Sequence, residues 1–358
     1  MKISVVLIFV VILLYMILRP WKQISFYGLK IKKESFFLFL SCLILLLVAA
    51  IRGDFETDYQ IYHWQFESYR DMPWWNIFEV RDIGFFIWCK LVFLFSGNVL
   101  LGFISMALVM MMMYYRIIKE ESTFFLMSLV LFISVDNYII SFNLMRYILV
   151  VSIYMNIAEY IVDRKPLKYV VGVILLSTLH RAAIVTLPFY WLMQIDYRKK
   201  KNTLLLVCGI SAILLLLLFT RPIAEFIQAL IGMEYNTDSG LNYGSLGSFL
   251  KTGALLVFII LFRSKVNYDD IKERVWTNGC LFTVVFHCLA INVLMLHRMA
   301  YWFSGFYILL IPLILSRLPR KLQQMVSVVM IVCLVIYCQF VQNIQDYYPF
   351  WENVKVRY

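Results

Sequence analysis

The feature that most constrains the fold is a succession of long apolar runs separated by short basic segments. A helix that crosses a bilayer needs about 20 apolar residues. In lipid the backbone must satisfy its own hydrogen bonds, so runs of this kind predict spanning α-helices. They cover residues 3–18, 35–51, 99–115, 123–138, 143–162, 203–219, 249–262, 276–295, 300–316 and 322–341.

Composition supports the same class of protein. Of 358 residues, 62% are hydrophobic and 15% are charged, with a mean hydropathy of +0.79. Soluble domains are about 45–50% apolar and about 25% charged. We therefore predict an all-α polytopic membrane protein with roughly 10–12 transmembrane helices. Residues 1–358 form a single integral membrane domain, with no separate soluble catalytic domain.

The distribution of basic residues predicts the orientation. Lys and Arg gather in loops, and the positive-inside rule places such loops in the cytoplasm. This accounts for the net charge of +11, so a nucleic-acid partner is not predicted. The seven cysteines lack the spacing of a zinc site, and no metal is expected. The basic loops are 19–33, 116–119, 163–168, 198–201 with 263–274, and 317–321, and both termini then lie outside.

Two segments do not fit as simple crossings. Residues 83–95 are too short and contain Lys90, which predicts an interfacial or re-entrant helix. Residues 169–195 have basic clusters on both sides, which predicts a broken hairpin with His180 and Arg181 near its turn. Two extracytoplasmic loops remain: an acidic, aromatic one near 52–82 that resembles a structured lid, and one near 220–248 that we expect to be mobile.

Several cationic residues lie where the positive-inside rule disfavours them. Such groups at membrane depth cost about 2.5–3.5 kcal/mol and usually face a site or pathway. Guanidinium groups match phosphate oxygens, so a lipid phosphate or pyrophosphate is the expected ligand. Snorkelling or a structural ion pair is the alternative for each one alone. These residues are Arg52, Arg146, His180-Arg181, Arg221 and His297-Arg298.

Candidate bases lie near these arginines. His180 could be a core histidine or a proton acceptor, and in the second case Arg181 would keep its imidazole neutral. In the loop after Arg52, Asp58 or Glu56 could activate an acceptor hydroxyl beside aromatic faces suited to sugars. The alternative is that the carboxylates and arginines of this loop pair with one another.

Four stretches resemble a known family: IRGDFETDYQIYHWQF, NLMRYILVVSIYMNIAEY, LLSTLHRAAIVTLPFYWL and LHRMAYWFSGFYILLIPLIL. In this order they are similar to the motifs of the EpsG-like and O-antigen polymerase (Wzy) family. One departure is Tyr147, where members often carry Gln after the arginine. The matching positions are Arg52, Asp58, Tyr59, Tyr62, Arg146, His180 and Arg298.

The resemblance implies a bacterial inner-membrane enzyme of GT-C-like architecture with its site on the periplasmic face. It would join undecaprenyl-pyrophosphate-linked glycan repeat units, which serve as both donor and acceptor, within the lipid bilayer. A chain-length regulator is a further partner that the resemblance suggests. No cofactor is implied.

We expect inverting, metal-independent glycosyl transfer. Arg146 and Arg298 would clamp the pyrophosphate, and Arg52 and Arg181 would assist. His180 or Asp58 would be the base, and Tyr59, Tyr62 and Glu56 would bind the glycan.

Three rival functions remain open at this point. A flippase of the same lipids also needs a basic cavity, although it should show internal repeats. A structural subunit and an acyltransferase that uses His180 are the others.

Overall fold

The structure is a computed structural model. It describes residues 1–20, 23–26, 29–53, 58–135, 137–199, 202, 243–291, 295–342 and 347. The predicted helix 203–219, Arg221, Glu56 and most of the predicted loop 220–248 lie outside the described residues.

The described chain folds into a helical bundle, which confirms the all-α membrane class. A two-stranded antiparallel hairpin, β1 (Gln23–Phe26) and β2 (Leu29–Lys32), joins the first two helices. The helices are α1 (Ile3–Leu18), α2 (Lys33–Ala50), α3 (Tyr59–Asp71), α4 (Ile83–Phe95), α5 (Val99–Glu121), α6 (Phe125–Ser134), α7 (Met145–Ile157), α8 (Glu159–Val162), α9 (Pro166–Leu179), α10 (Phe189–Leu192), α11 (Tyr243–Leu261), α12 (Ile271–Ala290), α13 (Met295–Ser304), α14 (Tyr307–Ser316) and α15 (Arg320–Phe340).

Four stretches of the described chain are long and apolar enough to cross a membrane: 33–50, 99–121, 145–162 and 320–340. The pair 296–304 and 307–316 adds a fifth if its 42° bend lies within one span. Shorter apolar helices of 10–17 residues accompany them. The count of 10–12 crossings stays a prediction.

The predicted broken hairpin is present. Helix α9 ends at Leu179, His180 is extended, and a 3-10 turn follows over Arg181–Thr186. The chain then returns beside α9, because the Tyr169 hydroxyl donates to the Thr186 carbonyl at 2.7 Å. The Tyr169 and Tyr190 rings lie 5.3 Å apart. His180 and Arg181 therefore stand at the tip of the hairpin.

Helix α4 packs against α9, and a glycine makes this possible. A Cβ on Gly84 would come within 2.4 Å of the Thr178 hydroxyl oxygen. Lys90 of α4 is buried, and its ammonium donates to the Arg70 carbonyl at 2.9 Å and to the Met72 carbonyl, both at the end of α3. Lysine near a helix C-terminus satisfies carbonyls that the helix leaves unpaired.

One predicted boundary needs correction, and one predicted loop is structured as expected. Residues 243–248 were predicted to lie in a mobile loop, but they form the start of α11. The small residues of YGSLGS directly precede the apolar run, and the helix of that run extends back through them. The acidic loop 52–82 contains helix α3 and a 3-10 turn at Trp74–Phe78, so much of the predicted lid is regular structure.

The helix ends gather at two ends of the bundle. At the first, which we term the ion-paired end, Glu121 of α5 pairs with Lys272 of α12, and Glu273 pairs with Arg317 after α14 at 2.6 Å. At the second, the arginine–aromatic end, lie Arg52 after α2 and Arg146 near the start of α7. The sequence predicted these same groupings.

Candidate active site

Arg146 is held by one carboxylate and one ring. Its Nη1 lies 3.1 Å from Asp82 Oδ2, with side-chain exposures of 13% and 7%. Its guanidinium carbon lies 4.6 Å from the centre of the Phe85 ring. The buried Nε has no hydrogen-bond partner. The side chain is thus fixed in position and keeps an unused donor.

Asp82 joins three elements at this point. It precedes α4, pairs with Arg146 of α7, and accepts the backbone N–H of Arg181 at 3.3 Å. Sequence reasoning did not select Asp82 as a site residue, because it was one of several carboxylates in the acidic loop. Its place directly before an apolar helix was the available signal.

Arg298 lies in the first turn of α13, close to the start of α7. The Tyr147 hydroxyl donates to the Arg298 carbonyl at 2.5 Å, which ties the two helices together. The Arg298 side chain is exposed, and no ion pair or hydrogen bond of its guanidinium occurs with the described part of the chain. Tyr147, where the family often has Gln, therefore acts here on the position of Arg298.

His180 stands between the two arginines. Its ring meets the Tyr147 ring edge-on with centres 5.2 Å apart, and its Nδ1 is buried without a partner. His180 lies in the break after α9, outside the helices. Burial is the largest cause that lowers its pKa, followed by Arg146, Arg298 and Arg81. The imidazole is therefore neutral near pH 7.

The predicted reason for that neutrality was wrong in one respect. Arg181 was expected to keep the imidazole uncharged, but its guanidinium turns away, and Nε donates to the Arg81 carbonyl at 2.7 Å. The cations that act on His180 are instead Arg146, Arg298 and Arg81. Arg181 follows His180 in the chain, but in the 3-10 turn that begins at Arg181 its side chain is directed away from the imidazole.

The pKa of Tyr62 is affected by the same two arginines, Arg146 and Arg298. Burial raises its pKa, while the charges of Arg146 and Arg298 oppose that rise. Only 7% of Tyr62 is exposed, so its ring has almost no open face for a sugar. Tyr62 is therefore a buried residue of the site, close to Arg146.

Arg52 lies deeper than the other arginines. It is 2% exposed, with its guanidinium carbon 5.7 Å from the ring centres of both Phe103 and Phe142. Nη1 donates to the Ala49 carbonyl at 3.3 Å, and the buried Nε has no partner. Burial lowers the pKa of Arg52, while Tyr59 is the first of several tyrosines that raise it.

The loop residues Asp58 and Tyr59 border this deeper arginine. The Asp58 backbone N–H donates to Asn143 Oδ1 at 2.9 Å, which attaches the loop to the segment before α7. The Tyr59 ring stacks on Phe103 with centres 4.6 Å apart. Asp58 and Tyr59 are only half-buried. The candidate glycan-binding residue Glu56 lies outside the described residues.

Comparison with known proteins agrees with these residues. The chain matches the model of the EpsG family over residues 35–352. It belongs to the EpsG family. This family comprises membrane proteins of polysaccharide synthesis, so the resemblance seen in the sequence is confirmed. No curated protein and no solved structure matches the chain.

The EpsG-family match contains the whole arginine–aromatic end. The structure brings Arg146 and Arg298 close to His180 and Tyr62, whereas Arg52 is buried against Phe103 and Phe142. No group of three metal-ligating side chains occurs among the residues that the structure describes. The arrangement can hold an anion with several charges beside a neutral imidazole.

Proposed function

We propose that this EpsG-family protein polymerises lipid-linked oligosaccharide repeat units at its arginine–aromatic end, which faces the periplasm. The donor is a glycan on undecaprenyl pyrophosphate, and the acceptor is a second lipid-linked unit. One observation carries the proposal: Tyr147, next to Arg146, donates its hydroxyl to the Arg298 carbonyl and meets the His180 ring edge-on at 5.2 Å, so Arg146, His180 and Arg298 lie around one point.

The arginines suit a pyrophosphate better than a single carboxylate. Arg146 already holds Asp82, yet its buried Nε is unused, and Arg298 is open to solvent. Helices α7 and α13 both begin here, and helix N-termini favour anions. No side chain caps the start of α7. Two guanidinium groups and two helix starts can thus share the oxygens of one diphosphate.

The reaction is a displacement at the anomeric carbon of the donor. The acceptor hydroxyl oxygen forms the new bond, and the bond from the anomeric carbon to the pyrophosphate oxygen breaks. The hydroxyl proton passes to His180, and the electron pair leaves with undecaprenyl pyrophosphate. Because charge grows on the departing oxygen, Arg146 and Arg298 stabilise the transition state more than the ground state.

His180 becomes a better base when the donor binds. In the empty site, burial and three arginines lower its pKa, so it is neutral but only weakly basic. A pyrophosphate between Arg146 and Arg298 offsets their charges and raises the pKa of His180 towards the working pH. The base is therefore strengthened only with the substrate in place. Asp58 is the alternative base, on the Arg52 side of the site.

Flipping of the same lipids is the second candidate function. It would also need cationic groups, but a transporter needs them along a path through both leaflets. Here two cations at the other end are held by carboxylates, Arg317 by Glu273 and Lys272 by Glu121. That difference favours polymerisation.

The test is complementation of a deletion strain with Arg298→Gln, followed by a gel of the surface polysaccharide. We expect single-repeat bands without a ladder, at unchanged protein level in the membrane. Arg116→Gln is the matched control, since Arg116 is an exposed arginine at the ion-paired end beside Glu120. It should give a normal ladder. A normal ladder with Arg298→Gln overturns the clamp, and loss of every repeat unit indicates flipping instead.

A further inference from the structure

A cavity of about 240 Å³ lies at the ion-paired end, and its lining includes none of the candidate active-site residues. It is formed by the end of α1, the start of α2 and the turn between α5 and α6. Its polar side includes Arg19, Lys33 and Glu34, with the hydroxyl residues Ser122 and Thr123. Nothing in the proposed glycosyl transfer uses this cavity.

Arg19 differs from Arg317 and Lys272, which also lie at this end. Within the described residues its guanidinium makes no hydrogen bond or ion pair, whereas Arg317 and Lys272 each hold a carboxylate. Lys33 is partly neutralised, with Nζ 4.0 Å from Glu34 Oε1 and 3.3 Å from the Arg19 carbonyl. The cavity thus keeps a net positive charge at its rim.

The remaining wall is apolar and continues onto the outside of the bundle. Tyr15 and Phe37 meet edge-on with ring centres 5.5 Å apart, and Phe125 completes the lining. Next to the cavity, Met16 and Ile17 of α1 are each 56% exposed. An apolar surface that is this open on a membrane helix faces lipid tails.

The segment between α1 and α2 adds further positive charge by sequence, through Lys22, Lys30 and Lys32. Basic segments next to a membrane helix attract anionic lipids of the inner leaflet. Cationic rim, apolar wall and lipid-facing helix occur together at one place. A soluble anion would contact only the cationic rim.

We propose that this cavity binds the headgroup of an anionic phospholipid of the cytoplasmic leaflet. The phosphate lies between Arg19 and Lys33, the headgroup hydroxyls reach Ser122 and Thr123, and the acyl chains follow the exposed face of α1. The bound lipid fixes the α1–α2 connection at the end opposite the candidate active site.

The test uses the full-length protein in detergent and native mass spectrometry with phosphatidylglycerol, phosphatidylcholine and inorganic phosphate. We expect phosphatidylglycerol to bind about 10-fold more tightly than phosphatidylcholine. Arg19→Gln with Lys33→Gln should remove this preference, since each surface cation contributes a several-fold effect. The matched control is Lys165→Gln with Lys168→Gln, which removes equal charge and should keep the preference.

A second variant separates the contribution of the cavity's volume to lipid binding from the contribution of its charge. Thr123→Phe narrows the cavity without altering any ionisable group, and we expect it to lower phosphatidylglycerol binding about 10-fold. Thermal unfolding without lipid confirms that each variant is folded. Equal binding of the two lipids, an equal loss in the control pair, or unchanged binding in Thr123→Phe overturns the proposal. Inorganic phosphate that competes at similar concentration overturns the assignment to a lipid.

Discussion

The two ends of the bundle hold Arg317 and Arg52 in opposite ways. At the ion-paired end, Arg317 meets Glu273 through two hydrogen bonds of 2.7 and 2.6 Å. At the arginine–aromatic end, Arg52 is held between two phenylalanine rings, and Arg146 lies over a third. A ring face stabilises a guanidinium without cancelling its charge.

This difference separates structural from functional charge. A carboxylate neutralises its partner, so Arg317 and Lys272 have little positive charge left for a ligand. The rings leave the charge of Arg52 in place, and among the described residues Asp82 is the carboxylate that pairs with Arg146. We therefore expect substitutions at the first end to change stability and those at the second to change activity.

The largest expected effect is that of Arg146→Gln, which should lower the rate of polymer formation by about 10²–10³-fold. Loss of one preorganised donor to the departing pyrophosphate is the reason. Polymerisation of purified lipid-linked units, per folded protein, measures it. Arg146→Lys should restore part of the rate, because it returns the charge without the planar fork. An effect below 10-fold would contradict the contrast between the ends.

The second largest expected effect is on the free energy of unfolding. Glu273→Gln leaves Arg317 without its bidentate partner, and the free energy of unfolding should fall by about 2 kcal/mol, since Arg317 is partly exposed to water. Thermal or denaturant unfolding in detergent measures this, and polymer formation per folded molecule should stay near normal. A loss of specific activity at unchanged stability would reverse the assignment of the two ends.

Tyr147→Phe tests the joint between α7 and α13. The change removes the hydroxyl that donates to the Arg298 carbonyl, so stability should fall by about 1 kcal/mol and activity by several-fold. Tyr307→Phe is the matched control, because its buried hydroxyl donates to the Thr252 carbonyl at 2.9 Å, away from the arginines. The control should lose similar stability and keep its activity. Equal activity losses would show that the joint does not position Arg298.

The smallest effect is a pH shift. Arg81 is one of the cations that lower the pKa of His180, so Arg81→Gln should raise that pKa. A base works when unprotonated, and the activity lost on the acid side should therefore be lost at a higher pH than in the wild type. Profiles of rate against pH measure this, with Arg116→Gln as the unshifted control. A shift to lower pH would exclude His180 as the base.

Much of the site could be predicted from the sequence, though its internal contacts could not. Arg146, His180 and Arg298 stood out because charged groups are rare in apolar runs. Asp82 did not stand out, because the acidic loop offers several carboxylates and only folding shows which one meets Arg146. Tyr62 was predicted to bind the glycan, whereas packing buries its ring.

The sequence by itself determined that this protein is a helical membrane protein whose unexplained arginines gather at one end. The physical reason is that the length of an apolar run and the charge of a loop are local properties of the chain. They decide which segments span the bilayer and on which side each loop lies. Only the tertiary structure decided which arginine keeps its charge, which is paired and which is buried. Those properties depend on rings and carboxylates that are distant in sequence, and close packing alone brings them within a few ångströms.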